Sequence, residues 1–275
     1  MTLQTHKLCD HMGAAVSGID IGRPVDAATQ GALRRLLHDR LVLCIRGQTL
    51  TPVAFRDAMA RFGRPLWRLQ LEHTPECDEV NIVSSEDRDV LGDGKKLVNG
   101  ASWHTDDSFM REPCSLTMLY GVIVPPKGGD TQFVNMYAAY EALSPEMKQR
   151  IAGLQVIHKY QSSRQTNRVT KRPESEMKAM PEATHPLIKV HPETGGRKAL
   201  YLNANRMEQV VGLDRAASDA LLDQLIAHAI RPEFQYRHVW RKGDVVIWDN
   251  RCTMHKANAD YDEGERRLMH RVVVG

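Results

Sequence analysis

Short apolar segments of strand length, separated by turns rich in glycine and proline, limit the folds open to this sequence more than any other feature. Residues 41–45, 116–124 and 245–248 are continuous apolar runs of this kind. Further strands are predicted at residues 13–22, 80–83, 130–134, 185–190, 199–202, 234–240 and 268–274. Many short strands with turn residues between them favour a β-sandwich or jelly roll.

Helical spacing of apolar residues confines the predicted helices to a few segments, namely residues 27–40, 52–62, 137–153 and 214–230. Asp26 and Thr51 precede the first two as N-caps, and a proline follows Thr51 in the first helical position. The sequence shows no internal repeat and no linker. We therefore expect one domain over residues 1–275, mainly β with helical decoration, in the α+β class.

Composition and charge exclude several classes of function. A net charge of +3 over 275 residues, without a basic stripe, argues against nucleic acid as a partner. The five cysteines are scattered, odd in number and free of Cys-x-x-Cys, so they indicate neither a disulfide framework nor structural zinc. No signal peptide and no run of roughly 20 apolar residues occurs. We expect a soluble cytoplasmic protein without a membrane partner.

A His-x-Asp pair, His104 and Asp106, follows Trp103 and is the first candidate for chemistry. In extended chain, residues i and i+2 point the same way, so one imidazole nitrogen and one carboxylate oxygen can bind one metal ion. His255, which follows the apolar run at 245–248, is a candidate third ligand. Two histidines and one carboxylate are the ligand set that suits non-haem Fe(II).

Two arginines near the C-terminus point to an anion. Arg267 and Arg271 share a face if residues 268–274 form a strand. Guanidinium groups on a buried face are costly unless each meets an anion. The alternative is that both arginines form salt bridges on an exposed face. The apolar run Val272-Val273-Val274 argues against this alternative, because it indicates a strand that is at least partly buried.

The chain resembles the taurine / 2,4-dichlorophenoxyacetate dioxygenase family of Fe(II)- and 2-oxoglutarate-dependent oxygenases. The resemblance runs over nearly the whole length and is carried by an opening segment, GAAVSGIDIGRPV, by WHTD at 103–106, by GGDT at 128–131, by WDNRCTMHKANADY at 248–261 and by RRLMHR at 266–271. It implies a double-stranded β-helix (jelly roll) that uses Fe(II), 2-oxoglutarate and O2. Members of this family often self-associate, so a homo-oligomer is also expected.

The resemblance implies a role for each matching residue. His104, Asp106 and His255 would bind the iron, Arg267 and Thr131 would bind the distal carboxylate of 2-oxoglutarate, and Arg271 would face the anionic group of the primary substrate. The interval from His255 is one residue longer than usual, so Arg266 stands at the usual spacing. We prefer Arg267, because only it shares a face with Arg271.

The substrate pocket departs from that of the taurine enzyme. Arg68 or Trp67 stands near the position of one taurine-binding histidine, and Asn99 is close to, but out of register with, a taurine-binding asparagine. Taurine itself is therefore not the expected substrate. Arg68 suits a second anionic group or a larger acid, or else it points to solvent. Polar residues 85–101 and 161–183 are candidate lids over the site; the alternatives are an ordinary surface loop for the first and a partly disordered loop for the second.

The resemblance implies hydroxylation of an aliphatic C–H of a small anionic substrate, such as a sulfonate, an alkyl sulfate or an aryloxy or carboxylic acid. C–S or C–O cleavage would follow where the hydroxylated carbon carries such a group, with release of succinate and CO2. A zinc hydrolase that uses the same His/Asp/His set is the alternative, although it gives Arg267 and Thr131 no role. A jelly-roll binding protein without catalysis is a third interpretation.

Overall fold

The computed structural model describes residues 3–68, 72–85, 100–165, 180–262 and 264–275. The helices are α1 Ala27–Arg40, α2 Pro52–Ala60, α3 Met136–Glu141, α4 Pro145–Ile151 and α5 Arg215–Ala229. The strands are β1 Gln4–Lys7, β2 Ala14–Ser17, β3 Val42–Ile45, β4 Glu72–Thr74, β5 Cys77–Ser84, β6 Leu116–Ile123, β7 Thr131–Asn135, β8 Gln155–Lys159, β9 Glu182–Pro186, β10 Ile188–Val190, β11 Lys198–Leu200, β12 Met207–Val210, β13 Gln235–His238, β14 Val245–Asp249, β15 Thr253–Ala257 and β16 Leu268–Val274.

Eight strands form the largest sheet, in the order β1-β2-β3-β14-β6-β16-β5-β4. Neighbouring strands are antiparallel except β2 and β3, which run parallel. Successive residues of a strand point to opposite faces. Val272 and Ile247 lie on the outer face, in one apolar cluster with Phe55 of α2. Met269 and Trp248 lie on the inner face, in a second cluster.

A three-stranded sheet, β13-β7-β15, packs against the inner face. Phe133 of β7 contacts Trp248 of β14 edge to face, with 5.4 Å between the ring centroids. Val134 and Met254 belong to the same buried cluster. The small sheets β12-β8-β9 and β10-β11, with α3 and α5, extend this core. The polar side chains described below gather where β15 meets the segment that precedes β6.

Capping side chains fix where most of the helices begin. The oxygens of Asp26, Thr51, Ser144 and Asp214 each accept a hydrogen bond from the backbone amide three residues on, at 2.7, 3.2, 3.2 and 2.8 Å respectively. Pro52 and Pro145 occupy first helical positions, where the missing N–H costs nothing. The restart at Ser144 divides the predicted segment 137–153 into α3 and α4.

The structure confirms a mainly β fold with few helices, and it contains the predicted helices and strands with small shifts at their ends. The predicted strand at 185–190 is two strands, β9 and β10, which pair with different partners. The sequence does not predict β1, β4, β8, β12 or β15, since these strands are short and mixed in polarity. No helix among the described residues is long and apolar enough to cross a membrane.

A buried group of polar rings lies in the small sheets. His158 of β8 is completely buried, and neither of its ring nitrogens has a hydrogen-bond partner. Its ring centroid is 5.5 Å from that of His185 and 5.8 Å from that of Tyr201. Burial lowers the pKa of His158 to about 3. In the unfolded chain, this histidine takes up a proton below its ordinary pKa near 6.5. In the folded protein, His158 stays neutral until the pH falls to about 3.

This lowered pKa makes the free energy of unfolding depend on pH. Between about pH 6.5 and pH 3 the unfolded chain binds one more proton at position 158 than the folded chain, so stability falls as pH falls through this window. In His158→Phe the free energy of unfolding should fall less steeply with pH, by roughly 1.4 kcal/mol per pH unit. The phenylalanine ring cannot take up a proton, and no hydrogen bond is lost because His158 makes none. Urea unfolding at pH 7 and pH 5 measures the difference.

His6→Gln is the matched control, because His6 is exposed on β1 and folding changes its surroundings little. The control should keep the pH dependence of the parent protein. An unchanged pH dependence in His158→Phe would contradict the assignment.

Candidate metal centre

Two backbone hydrogen bonds hold the candidate histidines together. His104 forms an isolated antiparallel bridge with His255 of β15. The amide of His104 donates to the carbonyl of His255 at 3.0 Å, and the amide of His255 donates to the carbonyl of His104 at 2.8 Å. Residues opposed in this way project their side chains to the same face. The two ring centroids are accordingly 4.1 Å apart.

Asp106 completes a compact set of three donors. One donor atom each from His104, Asp106 and His255 lies within 4.8 Å of the others. Nδ1 of His104 is 2.7 Å from the carbonyl oxygen of Ser102, so Nδ1 carries the proton and Nε2 keeps a lone pair. Nε2 is 3.8 Å from Oδ1 of Asp106. Burial lowers the pKa of both histidines, which keeps them in the neutral state that binds a metal.

The carboxylate of Asp106 is oriented by three neighbours. The hydroxyl of Thr117 donates to Oδ2 at 2.6 Å, and Nη2 of Arg271 lies 3.0 Å from Oδ1. Nδ2 of Asn250 donates to the oxygen of Thr117 at 2.8 Å, which directs the hydroxyl of Thr117 toward Asp106. Burial raises the pKa of Asp106, but Arg271 and the two imidazoles outweigh it and hold that pKa well below its usual range. Asp106 is therefore an anion in a fixed orientation.

Arg267 and Thr131, the predicted 2-oxoglutarate residues, are both buried. Arg267 is 5% exposed, and burial lowers its pKa to about 10. Its Nε donates to the carbonyl of Gly129 at 3.0 Å, but among the described residues no carboxylate forms a salt bridge with it. Thr131 is buried, and its oxygen accepts a hydrogen bond from Nε1 of Trp240 at 3.0 Å. Arg266, the alternative, is exposed.

The other predicted site residues are placed as follows. Arg271 is buried and reaches Asp106. Nε of Arg68 donates to Oδ2 of Asp107 at 2.6 Å, and both side chains are largely buried. Asn99 and the central parts of the predicted lids, residues 86–99 and 166–179, lie outside the described residues. The roles given to Arg68 and Asn99 stay predictions.

The donor set fits non-haem Fe(II), because two neutral imidazoles and one carboxylate are gathered in a buried place with supporting hydrogen bonds. Two other buried groups of possible ligands occur among the described residues, namely Cys44, His238 and Asp244, and His191, Asp249 and Cys252. Arg251 and His191 bind the carboxylate of Asp249, and Arg46 binds that of Asp244. Those two groups are ion-pair networks rather than metal centres.

Sequence reasoning misses several residues that build the site. Nδ2 of Asn203 donates to the carbonyl of Thr105 at 2.8 Å and to Ser108, so the turn after β11 anchors the ligand segment. Arg206 of the same turn stacks on Tyr160, with 4.3 Å from its guanidinium carbon to the ring centroid. The only sequence signal for these residues is a polar cluster after a strand, which is too common to be specific.

Comparison with known proteins gives one consistent result. The family model described as "Taurine catabolism dioxygenase TauD, TfdA family" matches residues 4–273. The α-ketoglutarate-dependent 2,4-dichlorophenoxyacetate dioxygenase of Cupriavidus pinatubonensis is 33% identical, covering 98% of this chain and 97% of its own. An alkylsulfatase of Acinetobacter baylyi is 31% identical over 99% of this chain and 84% of its own. The crystal structure of AAD-2 in complex with Mn(II) and N-oxalylglycine superposes with a TM-score of 0.84 at 31% identity, covering 100% of this chain and 97% of that one.

A glycine beside the first histidine gives a direct test of the metal centre. Gly100 has φ +76°, and a Cβ added there would lie 3.1 Å from Cε1 and 3.6 Å from Nε2 of His104. Gly100→Ala should displace the imidazole and weaken Fe(II) binding roughly tenfold or more, as loss of supporting contacts does at other metal sites. Anaerobic titration of the metal-free protein with Fe(II) measures this.

Gly153→Ala is the matched control, because Gly153 has the same φ of +76° but an added Cβ would meet nothing within 4 Å. Both variants carry the same backbone strain, so only a contact with His104 separates them. Equal Fe(II) affinity in the two variants would contradict the proposed ligand role of His104.

Proposed function

The chain belongs to the taurine catabolism dioxygenase TauD, TfdA family, and we propose that it oxidises an aliphatic C–H of a small organic anion bound next to Arg271. It is a 2-oxoglutarate-dependent dioxygenase that uses Fe(II) and O2. The single observation that carries the proposal is the buried set of His104, Asp106 and His255, in which Arg271 contacts Asp106, with Arg267 buried four residues before Arg271. Its polar groups match three different chemical needs.

The first need is to hold the metal. His104, Asp106 and His255 would bind Fe(II), which supplies the activation of O2 coupled to oxidative decarboxylation of 2-oxoglutarate. The residues of this chain set the geometry. The backbone bridge fixes the two imidazoles, and Thr117 and Arg271 fix the carboxylate of Asp106. Burial also excludes water from the reacting atoms.

The second need is to bind 2-oxoglutarate. Arg267 is a buried cation whose charge no carboxylate among the described residues offsets by a salt bridge, and a distal carboxylate would supply the missing anion. Because Trp240 donates to the oxygen of Thr131, the hydroxyl of Thr131 is free to donate its own hydrogen to that carboxylate. We propose these two roles for Arg267 and Thr131, with Arg266 on the surface.

The third need is to bind the primary substrate. The guanidinium of Arg271 is buried beside Asp106 and can hold a sulfonate, a sulfate or a carboxylate near the metal. Hydroxylation consumes the substrate, 2-oxoglutarate and O2, and it yields the hydroxylated product, succinate and CO2. Where the hydroxylated carbon bears a sulfonate, a sulfate or an aryloxy group, collapse of the product cleaves the C–S or C–O bond. The names of two relatives, an alkylsulfatase and a 2,4-dichlorophenoxyacetate dioxygenase, support this range of acids.

We further propose that residues 1–275 form one domain with a double-stranded β-helix, in which the eight-stranded sheet and the sheet β13-β7-β15 are the two facing layers. Small anions, and not nucleic acid, are the proposed partners, with self-association into a homo-oligomer. A zinc hydrolase is not favoured, because it leaves the desolvated Arg267 without a function. No comparison supports such a hydrolase.

An anaerobic visible difference spectrum tests the assignment of metal and co-substrate. The metal-free protein should develop a metal-to-ligand charge-transfer band when Fe(II) and then 2-oxoglutarate are added. Asp106→Ala should abolish the band, because the carboxylate ligand is lost. Aerobic succinate release from a panel of sulfonates, alkyl sulfates and aryloxy acids then tests the substrate. Bound metal without a band, and turnover without 2-oxoglutarate, would favour the hydrolase.

The neighbouring arginines 266 and 267 provide a matched pair of variants. Arg267→Ala should raise the KM for 2-oxoglutarate on the order of 100-fold, because one partner of a buried charge pair is lost. Arg266→Ala should leave it unchanged. The melting temperature supplies a second measurement that does not need turnover. In Arg267→Ala the rise in melting temperature on addition of 2-oxoglutarate should disappear, while the protein alone keeps its stability. The opposite order would assign the role to Arg266.

A further inference from the structure

A row of four side chains crosses the inner face of the eight-stranded sheet beside the metal centre. His73 of β4 pairs with Asn81 of β5, Asn81 pairs with Arg271 of β16, and Arg271 pairs with Leu119 of β6. Directly opposed residues in antiparallel strands lie on the same face, with Cβ atoms about 5 Å apart. Asn81 is therefore the immediate neighbour of the arginine to which we assign the substrate anion.

Asn81 is completely buried, yet one end of its amide has no hydrogen-bond partner. The other end lies 3.2 Å from Nδ1 of His73. A buried polar group without a partner is uncommon, because it loses its bonds to water without compensation. The neighbours of Asn81 in the row are His73 and the cation Arg271, and a guanidinium cannot accept a hydrogen bond.

The contacts of His73 show which end of the amide is unpartnered. Nδ1 of His73 also contacts the backbone carbonyl of Asp78. A carbonyl oxygen can only accept, so Nδ1 must carry the proton, and it cannot accept a hydrogen bond from Asn81. In the structure as it stands, Nδ2 of Asn81 faces His73 and Oδ1 is the atom without a partner. Because a protonated Nδ1 cannot accept from Nδ2, we assign the amide the reverse orientation, with Oδ1 toward His73, since the oxygen and nitrogen of a side-chain amide are interchangeable in shape. In this reversed orientation the unpartnered group is the NH2, a donor.

Nearby side chains hold this arrangement in place. The ring of Trp67 stacks on that of His73, with 5.5 Å between centroids and 4° between planes. His73 is thus fixed at one end of the row. Arg271 is held by Asp106, which accepts a hydrogen bond from it. The amide of Asn81 and the guanidinium of Arg271 are therefore two neighbouring hydrogen-bond donors on one face of the sheet. Such a pair is complementary to an anion with several acceptor oxygens.

We propose that Asn81 is a substrate-binding residue whose side-chain N–H donates, together with Arg271, to the anionic group of the primary substrate. The inference rests on the proposed function and adds a second donor to the substrate site. A sulfate, a sulfonate or a carboxylate has enough oxygens for both donors, whereas an ammonium group at this place would meet only donors. The site thus selects the anionic end of a substrate.

Replacement of the amide tests the proposal with hexyl sulfate, hexanesulfonate and 2,4-dichlorophenoxyacetate as probes. For the probes that release succinate, Asn81→Leu should raise KM roughly 10- to 100-fold, since a hydrogen bond to a charged group is lost. The KM for 2-oxoglutarate and its charge-transfer band should not change. Asn81→Asp should raise KM further, because its carboxylate repels the anion and pairs with Arg271. Asn81→Ser is the second test variant, in case leucine prevents folding. Serine is small and polar, and it too removes the amide donor.

Ile82→Leu is the matched control on the same strand, since Ile82 points to the opposite face, and it should behave like the parent protein. Binding is also measured without turnover, from the change that each probe causes in the anaerobic charge-transfer spectrum. Unchanged KM and unchanged probe binding in both Asn81→Leu and Asn81→Ser would overturn the inference and leave the proposed function intact. Tighter binding in Asn81→Asp would also overturn it, because the substrate would then present a donor. Turnover of no probe would instead contradict the proposed substrate class.

Discussion

The whole site depends on the pair of backbone hydrogen bonds between His104 and His255. These residues are separated by most of the chain, and a side-chain contact alone would leave two flexible imidazoles. Pairing the backbones instead fixes both Cβ positions and lets one rigid strand, β15, position a segment that has no regular structure of its own. Asn203 adds a bond to the carbonyl of Thr105 on the far side of that segment. The positions of the proposed metal ligands are therefore fixed by the sheet.

The same core that gives this precision also makes the arginines of the site costly. Arg267 is desolvated beside a backbone carbonyl, and its lowered pKa records the loss of hydration. Arg271 differs, because Asp106 offsets its charge and raises its pKa above the usual range. The fold therefore buries two different cations. Arg267 has no carboxylate partner among the described residues, so an added anion would lower the cost of burying it, whereas Arg271 is already paired with Asp106. The proposed binding of 2-oxoglutarate at Arg267 would offset this cost.

Much of this arrangement is predictable from sequence, because it follows from local periodicity. The i, i+2 spacing of His104 and Asp106 and the alternation of Arg267 and Arg271 in a strand are properties of a few residues each. The family resemblance then relates His255 to the pair. What escapes prediction is tertiary. The proposed role of Asn81 depends on the strands that flank β5, which are β16 on one side and β4 on the other. No single segment of the sequence predicts that strand order.

Arg68 shows why charge alone is a poor guide to substrate recognition in this pocket. Asp107, the residue after Asp106, has φ +54°, and its Oδ2 accepts a hydrogen bond from Nε of Arg68 at 2.6 Å. The two charges largely cancel, as do those of Arg271 and Asp106, so a substrate anion at either arginine competes with a carboxylate already in contact. Asn81 carries no charge and has no such competitor. Under the proposed role of Asn81, selectivity for the anionic end of the substrate depends on donors without a partner next to Arg271 and not on the number of arginines around the pocket.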